Sequence, residues 1–174
     1  MITSAPVLQT PNLTLRGHTV EDFDRLAAMW SDPLVVKHIG ARASTPQEAW
    51  FRLLRYIGHW PALGYGYWAV CDKQTGLYIG DVGLADHKRG MHPDFEATPE
   101  AGWVIIPPMA GRGLATEAMQ ATLDWYEATY GRARTVCMIE SVHAPSIRVA
   151  EKLGYKRFAE TSMAAGPVSL FQRL

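Results

Sequence analysis

Neither sign of charge predominates in this chain: Lys plus Arg and Asp plus Glu each number 17 over 174 residues. Such a balance exerts no general pull on nucleic acid or on an anionic membrane, and neither is expected as a partner. No stretch approaches the roughly 20 apolar residues of a membrane span. The opening "MITSAPVLQTPNL" has neither the basic region nor the apolar core of a secretory signal. Cysteine is scarce too. Cys71 in "YWAVC" and Cys137 in "TVCMI" lie inside apolar, strand-like runs, as small buried hydrophobes do. A disulfide would need an oxidising compartment that nothing else suggests. These absences predict a cytoplasmic protein.

What the chain does have is core-forming material. It is 48% hydrophobic, with 6 Trp, 7 Tyr and 5 Phe, which predicts one globular domain over residues 1–174. "LTLR" alternates like a short strand. In "HTVEDFDRLAAMWSDP", Thr19 with Asp22 resembles a capping box, and Phe23, Leu26, Ala27 and Trp30 recur at helical spacing. Asp32-Pro33 closes that helix. "STPQEAWFRLLRYIGHW" repeats the pattern, with Thr45 as N-cap, Pro46 first and Glu48 third. Its apolar face reads as Trp50, Leu53, Leu54 and Ile57, and Pro61 lies beyond its end. "YGYWAVCD" and "GLYIGDVGL" flank "DKQTG" as a hairpin. The polar segment 85–99 is near the length at which loops are functional or mobile. "EAGWVII", "TVCMI", "YKRFAE" and "VSLFQRL" read as further strands, and "SIRVAEKLG" as a helix. Strands and helices mix without strict alternation, which predicts an α/β (α+β) fold with a mixed sheet.

The most informative stretch is "PPMAGRGLATEAMQATLDWYEATYG", residues 107–131. Two prolines stop a strand, two glycines follow, and a long helix begins. Leu114, Ala118, Ala121 and Trp125 share one helical face, with Ala115, Met119, Thr122 and Tyr126 beside it. Glu117, Gln120, Asp124 and Glu127 gather opposite. A helix N-terminus offers unpaired N–H donors and a partial positive charge, and glycines let an anion come close. A tight turn without a ligand would also use glycines here. A P-loop would need Lys then Ser or Thr after the last glycine, which "GRGLAT" lacks. The dinucleotide fingerprint fits poorly, because Thr116 holds its third small position and Glu140 is too distant for its acid.

Taken with its neighbours, the stretch resembles the acetyl-CoA motif of the GNAT N-acetyltransferase superfamily. Within it, the likeness is to the ribosomal-protein N-terminal (RimJ/RimL-like) acetyltransferases. "PMAGRG" sets Gly111 and Gly113 where the motif Gln/Arg-x-x-Gly-x-Gly/Ala has its glycines. "LTLRGHTVEDFDRLAAMWSDPLVVKHIG", "GYWAVCDKQTGLYIGDVGL", "EAGWVIIPP" and "APSIRVAEKLGY" resemble other segments of that subgroup, in order and over nearly the whole chain. The resemblance implies a central mixed, mostly antiparallel sheet with helices on both faces. It implies that the strands "EAGWVII" and "TVCMI" splay apart, leaving main-chain groups around Ile105 for the pantetheine amides. It implies that Gly111, Arg112, Gly113, Leu114, Ala115 and Thr116 hold the pyrophosphate through their N–H groups. Arg112 adds a charge near a phosphate or is merely solvated.

Acetyl transfer to an amine needs a neutral nucleophile and a proton for the departing thiolate. The subgroup often has Glu where Glu100 begins "EAGWVII", facing the acceptor cleft; a plain surface Glu at a strand start is the alternative. Ser146 shares the inward face of its helix with Val149, Ala150 and Leu153, while Arg148, Glu151 and Lys152 point away. The resemblance implies that Ser146 protonates the thiolate; a buried Ser bonded to backbone is the alternative.

Three departures stand out. Pro108 replaces the motif's Gln or Arg, His143 replaces the usual Asn before "APS", and Ala150 replaces the Tyr that many members use as general acid. His87, His92, Asp94 and Glu96 match no zinc spacing, so no metal is expected. The aromatics Trp50, Tyr56, Trp60, Tyr65, Tyr67 and Trp68 read mainly as core, with a few free to line an acceptor pocket.

The expectation is an N-acetyltransferase that passes an acetyl group from acetyl-CoA to a primary amine by direct attack in a ternary complex. The acceptor is a small molecule or a peptide N-terminus, and the neutral charge speaks mildly against a polycation. A catalytically silent acyl-CoA-binding module is the alternative, and a homodimer is compatible with the sequence.

Overall fold

The computed structural model describes residues 2–40 and 42–174. Two short strands, β1 (Leu8–Gln9) and β2 (Leu13–Arg16), open one edge of the sheet. A 3-10 turn, Val20–Asp22, then leads into α1 (Phe23–Ser31). The Asp22 carboxylate accepts the Thr19 N–H at 2.9 Å, as expected of a capping box, and is forked by Arg16 at 2.6 and 2.8 Å. Asp32-Pro33 does more than stop this helix. The Asp32 side chain accepts the Leu34 N–H at 2.8 Å and Pro33 supplies a helical φ, so a second short helix, α2 (Pro33–Val36), starts at once.

Helix α3 (Pro46–Leu63) begins where the sequence places it, with Thr45 and Glu48 bonding each other's backbone N–H groups. Two details differ. Pro61 lies inside the last turn, because its missing N–H costs only the bond to Ile57, and Gly64 in a left-handed conformation (φ 79°) closes the helix onto the Trp60 carbonyl. The buried face is Ala49, Leu53, Tyr56 and Trp60, whereas Leu54 is exposed. The large aromatics, with more area to bury than Leu54, set the helix rotation.

The hairpin β3 (Tyr67–Asp72) and β4 (Tyr78–Ala85) turns at Gly76 (φ 70°). After the polar segment come β5 (Glu100–Ile105), α4 (Leu114–Tyr130), β6 (Thr135–Glu140), α5 (Ala144–Lys152), β7 (Lys156–Met163) and β8 (Gly166–Arg173). They form one eight-stranded sheet in the order β1-β2-β3-β4-β5-β6-β8-β7. Every neighbouring pair is antiparallel except β5 and β6. The mixed, mostly antiparallel sheet is thus as expected.

Period-two alternation gives each face its own core. From β3, Trp68 and Val70 join Leu114, Ala118, Met119 and Leu123 of α4 and Ala150 and Leu153 of α5. Tyr67, Ala69 and Cys71 join Leu26, Met29 and Trp30 of α1 and Leu53 and Tyr56 of α3. Both cysteines are free and buried. Among the described residues no helix is long and apolar enough to cross a membrane.

Candidate active site

The sheet opens at its parallel step. β4 and β5 pair from Gly80↔Ile105 to Ala85↔Glu100, but β5 meets β6 only at Glu100↔Val136. Beyond that bridge the facing edge of β5 has no strand partner. The resulting cleft has a volume of about 860 Å³, within the size range of small-molecule sites. Alternation along β5 divides its residues between the faces. Trp103 and Ile105 pack with the α4/α5 core, while Val104 packs with the α1/α3 core and Gly102 lies against Tyr67. The cleft therefore communicates with both sides of the sheet.

On the α4 side, Pro107–Met109 forms a 3-10 turn, and Gly111 (φ 76°) and Gly113 (φ 78°) follow in left-handed conformations. L-residues adopt that backbone at a cost, which explains the glycines. Nothing lies within 4 Å of where a Cβ would project at either position, so the space before the helix is open. Among the described residues, the N–H groups of residues 111–116 donate to no backbone carbonyl outside the helix; Glu117 to Gly113, at 3.0 Å, is the first such bond. Gly111, Gly113, Leu114, Ala115 and Thr116 line the cleft, as does Ile105. The Arg112 side chain is not among the lining groups: it is exposed, with Nη1 3.0 Å from Met109 Sδ. Only its main chain belongs to the turn.

Ser146 sits in the first turn of α5 and lines the cleft. The Trp103 indole N–H donates to its hydroxyl oxygen at 3.3 Å, which leaves the hydroxyl proton free to donate elsewhere. His143 precedes the helix, and its ring stacks on His38 at 4.3 Å and 17°. His38 in turn bonds the Glu140 carboxylate through Nδ1. Burial, then the neighbouring His38, holds the His143 pKa below its ordinary value. Ala150, where a general-acid Tyr would stand, is wholly buried in the core.

On the α3 side, Glu100 is 7% exposed. Arg89 grips it in a fork, Nε to Oε2 at 2.7 Å and Nη2 to Oε1 at 2.8 Å, and His87 Nε2 lies 4.0 Å from Oε1. Both partners come from the polar segment 85–99, whose two ends thus behave differently. His87 and Arg89 turn into the cleft. His92 instead accepts the Asp94 N–H and meets Phe158 edge-on, while Glu96 accepts the Gly90 N–H. Among the described residues no three His, Cys, Asp or Glu side chains converge as metal ligands. Burial, then Arg89, pushes His87 down to about 3; burial, then Arg55, pushes His59 down to about 4.

Three aromatics line this side. Tyr56 and Tyr67 stack at 4.5 Å, and the Tyr67 hydroxyl occupies the space a Cβ on Gly102 would need. Trp30 is fixed by its indole N–H to Asp81 Oδ2 at 3.1 Å. Asp81 is wholly buried and is also bonded by His18 and Tyr78. Trp60 and Trp68 instead pack in the opposite core, and Tyr65 against Tyr126. Sequence reasoning missed Arg89, Trp103, His38 and Glu140 as site residues. Trp103 had a signal, since it follows Glu100 by three on one strand and must face the other side. The remaining three had none, because they meet their partners only through tertiary packing.

The sequence matches the model of the acetyltransferase (GNAT) domain over residues 12–156, and the chain belongs to the GNAT acetyltransferase family. It is 34% identical to a protein of Bordetella pertussis assigned to that family, with a TM-score of 0.88, over 98% of this chain and 100% of the other. An uncharacterised N-acetyltransferase, p20, of Bacillus licheniformis is 27% identical over 86% of this chain and 82% of its own length. The fold is also that of RimL, a ribosomal L7/L12 α-N-protein acetyltransferase solved with coenzyme A. That match has a TM-score of 0.79 at 13% identity, covering 97% of this chain and 98% of the other.

Proposed function

We propose that the protein transfers an acetyl group from acetyl-CoA to a primary amine, by direct attack in a ternary complex, with residues 1–174 acting as one acyltransferase domain. The observation that carries this reading is the cleft opened between β5 and β6. It reaches both faces of the sheet, with Glu100 lining it on one side and Ser146 on the other. Donor and acceptor enter from opposite faces and meet at the gap.

The fit of acetyl-CoA rests on the open, left-handed turn at Gly111 and Gly113 and on the orphan N–H groups of residues 111–116, which suit a pyrophosphate. The edge of β5 near Ile105 offers main-chain groups to the pantetheine amides, and the His143 ring borders the same passage. RimL, of the same fold, holds coenzyme A. Arg112 contributes its N–H rather than its guanidinium.

Glu100 receives the acceptor. An ionised carboxylate has about four lone-pair sites, and Arg89 occupies two, leaving the others for the amine or a bridging water. The amine nitrogen forms a bond to the acetyl carbon as the carbon–sulfur bond breaks. The proton lost by nitrogen passes through water to Glu100, and Ser146 gives its proton to the departing sulfur, to be reprotonated from solvent. Trp103 holds the Ser146 oxygen so that its proton faces the cleft.

Thermal unfolding with saturating acetyl-CoA, CoA or NAD tests the donor. A ligand at about 100 times its dissociation constant stabilises by roughly 2.7 kcal/mol. Both CoA forms are expected to raise Tm, and NAD is not. Thiol release with a panel of primary amines then tests transfer. CoA binding with no release from any amine would leave a CoA-binding module in place of an enzyme.

A further inference from the structure

The acceptor side of the cleft carries more positive charge than it can neutralise. Arg52 and Arg55 lie one turn apart on α3 and both line the cleft, beside Arg89. Like charges so placed repel, and helices carry such pairs at a cost. The acids lining the cleft are Glu100 and Glu140, and each is already engaged, by Arg89 and by His38. Nearby Asp86 is held by Lys88. Among the described residues neither Arg52 nor Arg55 has a carboxylate within salt-bridge distance.

Arg52 is also built into place. Its guanidinium carbon lies 3.6 Å from the centroid of the Trp30 ring, and that ring is anchored on the buried Asp81. Stacking leaves the edge of a planar guanidinium free, the edge that matches a carboxylate. Its Nε is buried with no hydrogen-bond partner, and its contact with the Tyr56 hydroxyl is a long 3.5 Å. A buried donor without a partner is costly unless a ligand completes it. The histidines nearby respond to the same charges: after burial, Arg55 lowers the pKa of His59, and Arg89, Arg55 and Arg52 lower that of His87.

We propose that Arg52 and Arg55 bind a carboxylate on the acceptor, so that the substrate is a primary amine bearing a carboxylate near its nitrogen. This deepens the acetyl-transfer reading and rests on it for the identity of the amine. The carboxylate belongs either to a free amino acid or to an acidic residue beside a peptide N-terminus. A polyamine would meet the same guanidinium groups as repulsion.

The experiment pairs amines that differ only in this charge. Alanine is compared with alaninamide, and the amide of Ala-Asp with that of Ala-Asn, with spermidine as the cationic comparator. Binding is read first, as the rise in Tm of the full chain saturated with CoA, which needs no transfer. At least one acid is expected to bind about tenfold or more tightly than its neutral twin, and which pair shows it identifies the source of the carboxylate. Thiol release with acetyl-CoA is expected to show the same preference. Arg52→Gln and Arg55→Gln are each expected to bring the acid-to-neutral ratio towards one, while the Tm rise with CoA verifies that the variant is folded. Equal binding of acid and neutral twins by the wild type, or preference for spermidine, overturns the proposal, as does a preference that survives both variants. Selective binding of the acids with no thiol release would leave the carboxylate site standing and overturn the acetyl-transfer reading alone.

Discussion

Arg89 closes on Glu100 through two parallel hydrogen bonds, 2.7 and 2.8 Å long, at the Glu100↔Val136 bridge that joins β5 to β6. The acid expected to serve the acceptor is therefore also the partner that holds Arg89, from the first part of the polar segment 85–99, against the cleft. Glu100→Gln is expected to lower kcat by about 10²–10⁴, the usual range for a lost general base. Arg89→Met leaves a buried carboxylate alone and is expected to lose about 2–3 kcal/mol in urea unfolding. That is less than for a fully buried pair, because the Arg89 side chain stays 29% exposed. Full activity in Glu100→Gln would remove the base role.

Ser146 and Trp103 separate proton donation from positioning. Ser146→Ala is expected to reduce kcat with little change in the KM for acetyl-CoA, since the hydroxyl matters once the sulfur departs. Trp103→Phe keeps an aromatic, though smaller, side chain and removes the N–H that holds the oxygen. Its effect on kcat is expected to be smaller, and absent in the Ser146→Ala background. Additive losses in the double variant would show that Trp103 acts by another route.

The glycine turn predicts a strain effect without a clash. Gly111→Ala and Gly113→Ala meet no neighbour within 4 Å but force alanine into φ 76° or 78°. Each is expected to cost about 1–2 kcal/mol and to shrink the Tm rise given by CoA. An unchanged CoA response, measured by titration, would place the pyrophosphate elsewhere.

Stability should fall with mild acid. His87 and His59 have pKa values near 3 and 4 in the folded protein, against an ordinary 6.5. Below 6.5 the unfolded chain takes up protons that the folded chain refuses, so stability present at neutral pH is lost as pH falls. For His87 the window runs from 6.5 down to about 3, and for His59 down to about 4. His143 shifts in the same direction, by burial and then His38. Each fully converted group contributes about 1.4 kcal/mol per pH unit. Urea midpoints between pH 6.5 and 5, above the carboxylate range, are expected to drop, and His87→Gln to flatten the slope. An equal slope in that variant would mean that His87 titrates normally.

Much of this arrangement was legible along the chain. The caps at Thr19 and Thr45, the hairpin turn at Gly76 and the left-handed pair Gly111 and Gly113 are decisions made over a few residues, by backbone sterics and local hydrogen bonds. On α5 the spacing placed Ala150 and Leu153 in the core and Ser146 and Val149 half-buried beside them, but Arg148 and Lys152, expected to point away, line the cleft as well. Periodicity failed where competing apolar groups lay on adjoining faces, as when Tyr56 and Trp60 rather than Leu54 went inward on α3.

The sequence by itself determined most of the strands and helices (β1 and α2 excepted), where the helix after the glycine turn begins, and the family. Those are short-range consequences of φ preference, spacing and capping, and they survive whatever the segments later touch. Only the tertiary structure decided that β8 lies between β6 and β7, that Arg89 reaches Glu100, and that Trp103 reaches Ser146. It also decided that Arg52 stacks on Trp30 with no carboxylate partner among the described residues, because Trp30 is oriented by Asp81, 51 residues away in the chain. Charge pairing and burial depend on distances in space, and net charge along the chain averages them away: in a protein with equal numbers of acids and bases, Arg52 and Arg55 still line the cleft with no carboxylate within salt-bridge distance among the described residues, while Glu100 is forked by Arg89.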